Sequence, residues 1–159
     1  MYKRILVPLD GSPSSEMVFP HLQPLAKAFD TEMILLQVII EPTKEFSVTI
    51  SPLSPPRTVR KQQTKVKTYL KKACAKLEED GIRASYLIRQ GGIAESILEV
   101  AGIMQADLIA MSTHGHSPAR LLLLGSVTYQ VVRNSSLPML VVRPEVSDQQ
   151  PVSSNETPN

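Results

Sequence analysis

The strongest constraint on this chain is its alternation of short apolar runs with stretches of helical period. Arg4 to Leu9 is an apolar run short and branched enough to be a buried strand. Asp10-Gly11-Ser12-Pro13 breaks it, with Ser12 able to cap a helix and Pro13 suited to its first position. Val18, Leu22, Leu25 and Phe29 then recur at helical spacing, with Pro20 and Pro24 predicting a kink or a late start. Met33 to Ile40 reads as a second strand, and Thr58 to Asp80 as a long helix. Val66, Leu70, Ala73 and Leu77 form that helix's inner stripe, and Gly81 ends it. Ile82 to Arg89 alternates apolar and polar residues, as a half-exposed edge strand does. Gly91-Gly92 opens a helix carrying Ile93, Ile97, Ala101 and Met104. Asp107 to Met111 is a fourth strand, Val127 to Asn134 a helix, and Met139 to Arg143 a fifth strand.

Strands and helices alternating in this way predict an α/β fold: a doubly wound, five-stranded parallel sheet with helices on both faces and right-handed crossovers. Ligands of such sheets bind beyond the carboxyl ends of the strands, where the strand order reverses. Attention therefore falls on the segments after strands one and four.

Composition narrows the class. At 159 residues and 42% apolar content, the chain is of single-domain size with enough material for a core. No window approaches the roughly 18 consecutive apolar residues of a membrane span, and the first residues lack the pattern of a signal peptide. The single cysteine, Cys74, excludes an internal disulfide framework and leads us to expect a cytoplasmic setting. A net charge of +2 and 4% aromatic residues argue against nucleic acid as the partner. Residues 145–159 carry Glu145, Asp148 and Glu156, no base and two valines, so we expect a disordered acidic tail behind a domain of residues 1–144. The proline-dense stretch from Glu41 to Arg57 opposes both helix and central strand, while Phe46, Ile50 and Leu53 would let it fold down as a lid.

The chemistry-bearing segment follows strand four. It runs Ser112-Thr113-His114-Gly115-His116-Ser117-Pro118-Ala119-Arg120, then four leucines, then Gly125-Ser126. Gly-Ser at a helix start exposes backbone N–H groups that have no internal partner and lie at the positive end of the helix dipole, which suits a phosphate. The same pair also serves simply to begin a helix, and the local pattern leaves both readings open. No glycine-rich run ends in Gly-Lys-Ser or Gly-Lys-Thr, and no Gly-x-Gly-x-x-Gly is present.

Together these segments resemble the universal stress protein family. Gly115 and Gly125 enclose nine residues and Ser126 follows, as in the family's ATP-binding branch. Ile5-Leu6-Val7-Pro8-Leu9-Asp10-Gly11-Ser12, Leu35-Leu36-Gln37-Val38 and Leu137-Pro138-Met139-Leu140-Val141-Val142-Arg143 match the family's first, second and last strands in order. The resemblance spans Met1 to about Pro144. It implies a Rossmann-like sheet of order 3-2-1-4-5, often a homodimer joined through the last strand. It implies ATP or AMP as ligand, ATP with Mg, and a role as a nucleotide-dependent switch in the stress response. Asp10 would hold the ribose or the adenine edge, and Pro8, Leu9 and Val38 would line the adenine slot. Met111, Ser112 and Gly115 would follow the ribose and phosphates, and Gly125, Ser126, Val127 and Thr128 would hold the phosphates. His116 stands where the family often has a cation, with Arg120 available to compensate. Ser112 replaces a family glycine and Pro118 often another. A serine at a position needing positive φ would cost about 1–2 kcal/mol.

The alternatives are a dimerising scaffold without nucleotide and a slow ATPase; the sequence identifies no catalytic residue. His114 and His116 have no third ligand nearby, so no metal site is expected. From Arg57 to Lys76 there are eight bases and no acid. That run is either a solvated helix face balanced by Glu78, Glu79 and Asp80, or a docking face for an acidic partner or nucleic acid.

Overall fold

The computed structural model describes residues 2–40, 57–113 and 125–143. The element order is β1 (Arg4–Pro8), α1 (Pro13–Glu16), α2 (Phe19–Phe29), β2 (Glu32–Ile39), α3 (Arg57–Glu79), β3 (Ala84–Gln90), α4 (Ile93–Ile103), β4 (Leu108–Ser112), α5 (Ser126–Asn134) and β5 (Met139–Val142). The five strands form one sheet in the order β3-β2-β1-β4-β5, and every neighbouring pair is parallel. The predicted fold class and strand order are those observed.

Strand periodicity divides the core in two. Ile5 and Val7 of β1, with Met33, Leu35 and Ile39 of β2, face α2 and α3, where they meet Leu22, Ala26, Leu70 and Leu77. Leu6 of β1, with Ile34 and Leu36 of β2, faces α4 and α5, where it meets Ile97, Val100 and Val131. The two central strands are apolar on both faces because both faces are covered. Each such fully buried side chain contributes about 1.5–3 kcal/mol through removal from water. Cys74 packs inside the α3 layer, where burial pushes its thiol up to about 11. Among the described residues, no helix is long and apolar enough to cross a membrane.

Local signals account for the element ends. The proline-bearing first helical stretch divides into α1 and α2, with proline in the first turn of each and Pro24 inside α2. Gly81, at φ 77°, closes α3, and the next amide, of Ile82, donates back to Leu77 O at 2.9 Å. At the amino edge of the sheet, the Asp107 carboxylate accepts from the backbone N–H groups of Lys3 (2.7 Å) and Arg4 (2.9 Å). These bonds to the ionised form hold its pKa below the ordinary value.

Phe29 is the last residue of α2, where the chain turns through left-handed Asp30 (φ 50°), and it is 46% exposed. β3 is the half-exposed edge strand expected, and Ala84 to Arg89 are all half-buried, because residues on both of its faces pack on the two core layers.

Candidate functional site

The strand order reverses between β1 and β4, since β1 leads through α2 to β2 on one side while β4 leads through α5 to β5 on the other. Their carboxyl ends therefore part, and the chain leaves them in opposite directions. Three pieces of chain meet at this place: the end of β1 with its turn, the end of β2, and the end of β4 with the start of α5.

The first piece is tightly tied. Pro8 ends β1 opposite Leu36, and the Leu9 N–H donates to Leu36 O at 2.7 Å. Leu9 is buried and Asp10 half-buried. Asp10 Oδ1 accepts from the Ser12 N–H at 2.9 Å and from the Ser12 hydroxyl at 2.6 Å. Ser12 Oγ in turn accepts from the Ser15 N–H at 3.1 Å, capping α1. Gly11 makes the turn with φ 82°, a conformation side chains rarely adopt. The carboxylate is thus aimed by its own turn.

The second piece is the end of β2. This strand continues past its pairing with β1, which ends at Pro8 and Leu36, so Val38 extends beyond the end of β1. It is half-buried against the α4–α5 layer, in register with Arg89 of β3.

The third piece is the widest. Met111, Ser112, Thr113 and Thr128 are all buried. The Thr113 N–H donates to Val142 O, and Thr113 O accepts from the Gly125 N–H, both at 2.9 Å. The Thr128 hydroxyl donates to Ser112 O at 3.2 Å. The start of α5 is therefore stitched onto the end of β4. Gly125 is its N-cap, with φ −61° and ψ 156° and no side-chain capping bond. A Cβ there would stand 2.6 Å from Thr113 O, so glycine is required for close approach rather than for an unusual φ. Ser126 is exposed and Val127 half-buried. Among the described residues no side chain caps the first turn of α5, and its dipole end points to the site.

Ser112 sits in extended β4 and is not among the residues with positive φ, so the serine carries no backbone strain there. Gly115, His116 and Arg120, together with His114 and Pro118, lie outside the described residues. So do the Pro-rich segment from Glu41 to Pro56 and the acidic tail.

Sequence reading missed two side chains close to the Asp10 turn. Gln37 of β2 reaches beneath Gly11, with its Nε2 3.7 Å from where a Cβ of Gly11 would be, and its Oε1 is buried without a partner among the described residues. Tyr69 of α3 has its pKa raised above the ordinary tyrosine value by burial and by the Glu16 carboxylate. A polar residue inside the apolar run Met33 to Ile40 was the available signal for Gln37. Nothing in the helical pattern singled out Tyr69. Among the described residues, no group of three histidine, cysteine or carboxylate side chains could hold a metal ion.

Comparison with known proteins agrees with the architecture. The sequence profile of the universal stress protein family matches residues 1–143. Universal stress protein MJ0577 of Methanocaldococcus jannaschii is 30% identical over 155 residues, covering 90% of this chain and 96% of its own. Its solved structure superposes with a TM-score of 0.80 at 31% identity, over 92% of this chain and 99% of that one. A universal stress protein solved in complex with cAMP shares the fold, with a TM-score of 0.65 at 23% identity over 89% of this chain and 97% of that one. So does an Arabidopsis thaliana family member solved with AMP bound, with a TM-score of 0.64 at 17% identity over 95% and 97% of the two chains. The chain belongs to the universal stress protein family.

Proposed function

We propose that this universal stress protein binds an adenine nucleotide, ATP or AMP, across the carboxyl ends of β1, β2 and β4, and that occupancy works as a switch. The observation that carries this reading is the start of α5: a helix end that begins at a glycine, has no side-chain cap among the described residues, and is held on Thr113 at the point where the strand order reverses. The related proteins solved with cAMP and with AMP support an adenine nucleotide as the class.

In this reading the phosphates lie on the N–H groups of Ser126, Val127 and Thr128, and the Ser126 hydroxyl adds a further bond. The Thr128 hydroxyl is engaged with Ser112 O, so Thr128 contributes its backbone. Asp10, aimed by Ser12, accepts from the ribose hydroxyls. Pro8, Leu9 and Val38 line the adenine slot, and Met111, Ser112 and Gly115 follow the sugar and phosphates. His116 stands near the phosphates where the family often has a cation, and Arg120 supplies the compensating charge, with Mg accompanying ATP. The pieces come from separate segments of chain, so a ligand touching all of them favours one relative arrangement.

A second reading concerns assembly. β5 is an edge strand whose Met139, Leu140 and Val141 are only half-buried, which favours a homodimer joined through it.

Thermal unfolding with and without Mg-ATP tests the first reading, with GTP as control. A ligand at about one hundred times its Kd stabilises by about 2.7 kcal/mol, or about 5–10 °C in Tm for a domain of this size. A rise with ATP and none with GTP is expected. No rise with either, on protein first shown to be nucleotide-free, overturns it.

A further inference from the structure

The outward half of α3 carries charge of one sign. Val66, Leu70, Cys74 and Leu77 turn the other half into the core. At 3.6 residues per turn, Arg60, Lys61, Lys65, Lys67, Lys71, Lys72 and Lys76 spread over the side opposite those four, and all seven are exposed. The exposed residues between them are glutamine, threonine and alanine. From Arg60 to Lys76 the face runs about 24 Å, and Lys61, Lys65 and Lys72 fall within about 40° of one another as its ridge. The arrangement works against the helix that bears it. Lys61 and Lys65, Lys67 and Lys71, and Lys72 and Lys76 are like charges four residues apart, which repel. No acid stands between Arg57 and Lys76 to separate them. Among the described residues no cation of α3 is in ion-pair reach of a carboxylate; the ion pair there is Arg83 with Asp30. Glu78 and Glu79 occupy the last turn, the end where the helix dipole favours cations. Helix stability therefore does not account for the pattern.

We infer that the outward face of α3 docks an acidic segment of a partner protein, about seven residues of extended chain lying along the helix axis. Its carboxylates relieve the repulsion that the helix itself leaves standing. Three features favour a polypeptide over other polyanions. Glu78, Glu79 and Asp80, all exposed, close the face at its carboxyl end. A nucleic acid duplex continuing along the axis meets its own sign of charge there, whereas a short segment stops before it. Six of the seven cations are lysines, compact point charges, and one is the arginine fork that suits phosphate best. No large apolar side chain of α3 is among the exposed ones, and Tyr69 is half-buried, so this face has nothing to insert into a bilayer or to stack on a base. The face is independent of the nucleotide reading, which uses β1, β2, β4 and α5.

The test is a fluorescence anisotropy titration of the full chain against a labelled octaglutamate peptide, with octaglutamine as the neutral arm. Lys61→Gln, Lys65→Gln and Lys72→Gln together clear the ridge. Lys3→Gln, Lys27→Gln and Arg133→Gln together remove the same charge from exposed positions elsewhere. Octaglutamate should saturate below roughly 1 mM at about 50 mM salt and weaken at least about tenfold at about 300 mM salt. The ridge variant should weaken it at least about tenfold and melt no lower than the unaltered protein, since like charges have been removed. The control variant should change it by less than about threefold. No saturable binding, equal binding of octaglutamine, or equal loss in the two triple variants would overturn the inference. So would tighter, ridge-dependent binding of a DNA duplex of roughly 20 base pairs or of phosphatidylserine vesicles, which would assign the face to nucleic acid or to a membrane. Glu145→Gln, Asp148→Asn and Glu156→Gln together should leave peptide binding unchanged. A gain of about tenfold there would overturn the inference by assigning the face to the chain's own acidic end.

Discussion

The helices that follow β1 and β4 begin at the same edge of the same sheet, yet their starts are chemically opposite. α1 is four residues long, and its start is closed by side chains: Asp10 holds Ser12, and Ser12 Oγ takes the Ser15 N–H. α5 is nine residues long, begins at a glycine, and carries no side-chain cap among the described residues. A helix start that satisfies its own amides has little left for an anion. One that is backed by a backbone carbonyl and left uncapped presents both its N–H groups and its dipole. The comparison assigns the two turns different work. The turn after β1 is a mount for a carboxylate, and in the proposed reading the start of α5 is where negative charge is received.

Substitutions at the two starts should separate these roles. Ser126→Glu should have the largest effect on binding. It puts a carboxylate in the first turn of a helix, which the fold tolerates well, at the place where the phosphate would lie. Mg-ATP affinity should fall about 100-fold, equivalent to about 2.7 kcal/mol, with Tm unchanged in the absence of ligand. Calorimetric titration and a ligand-free melt measure the two quantities. Gly125→Ala should act differently, because the new methyl strikes Thr113 O. Unfolding free energy should fall by about 1–3 kcal/mol, as overpacking costs, and binding should weaken along with it. Denaturant titration is the check.

Ser12→Ala should be milder. Losing the cap costs about 1 kcal/mol, read by thermal unfolding, and Asp10 loses both hydrogen bonds only if the backbone also shifts. Mg-ATP affinity should therefore fall much less than with Ser126→Glu. The smallest effect belongs to the opposite edge of the sheet. Asp107 has a folded-state pKa below its unfolded value, so its contribution to stability is complete above the unfolded value of about 3.9 and is lost as pH falls from there through the folded pKa. Asp107→Asn should flatten the stability profile below about pH 4, as seen by denaturant titration across pH, and leave the nucleotide response at neutral pH intact.

Much of this architecture was legible from residues alone, and the reason is burial. Strands covered on both faces, such as Ile5-Leu6-Val7 and Met33 to Leu36, must be apolar throughout, and the breaks between them carry glycine, proline and serine. The order of the strands came from the family resemblance and agrees with the observed sheet. Ser12-Pro13 and Gly125-Ser126 also announced helix starts, because capping chemistry is local. The role of Gly125 was not legible: only the fold brings Thr113 O to within 2.6 Å of where its Cβ would be. Ser112 stands where the family has a glycine, a cost only if the position needs positive φ, and its extended conformation in β4 shows that it does not. Tyr69 was invisible for the same reason as Gly125, while Gln37 showed only as a polar residue inside an apolar run. Their meeting with the Asp10 turn joins β2 and α3 to a loop far away in sequence.

The central claim is that the start of α5, and not the start of α1, receives the anion. Calorimetric titration of Mg-ATP into the unaltered protein, Ser126→Glu and Ser12→Ala in parallel tests it most directly. The account predicts binding to the first, near-complete loss in the second, and retention in the third with at most a few-fold change. Full binding by Ser126→Glu together with loss in Ser12→Ala would contradict it and move the anion to the turn after β1.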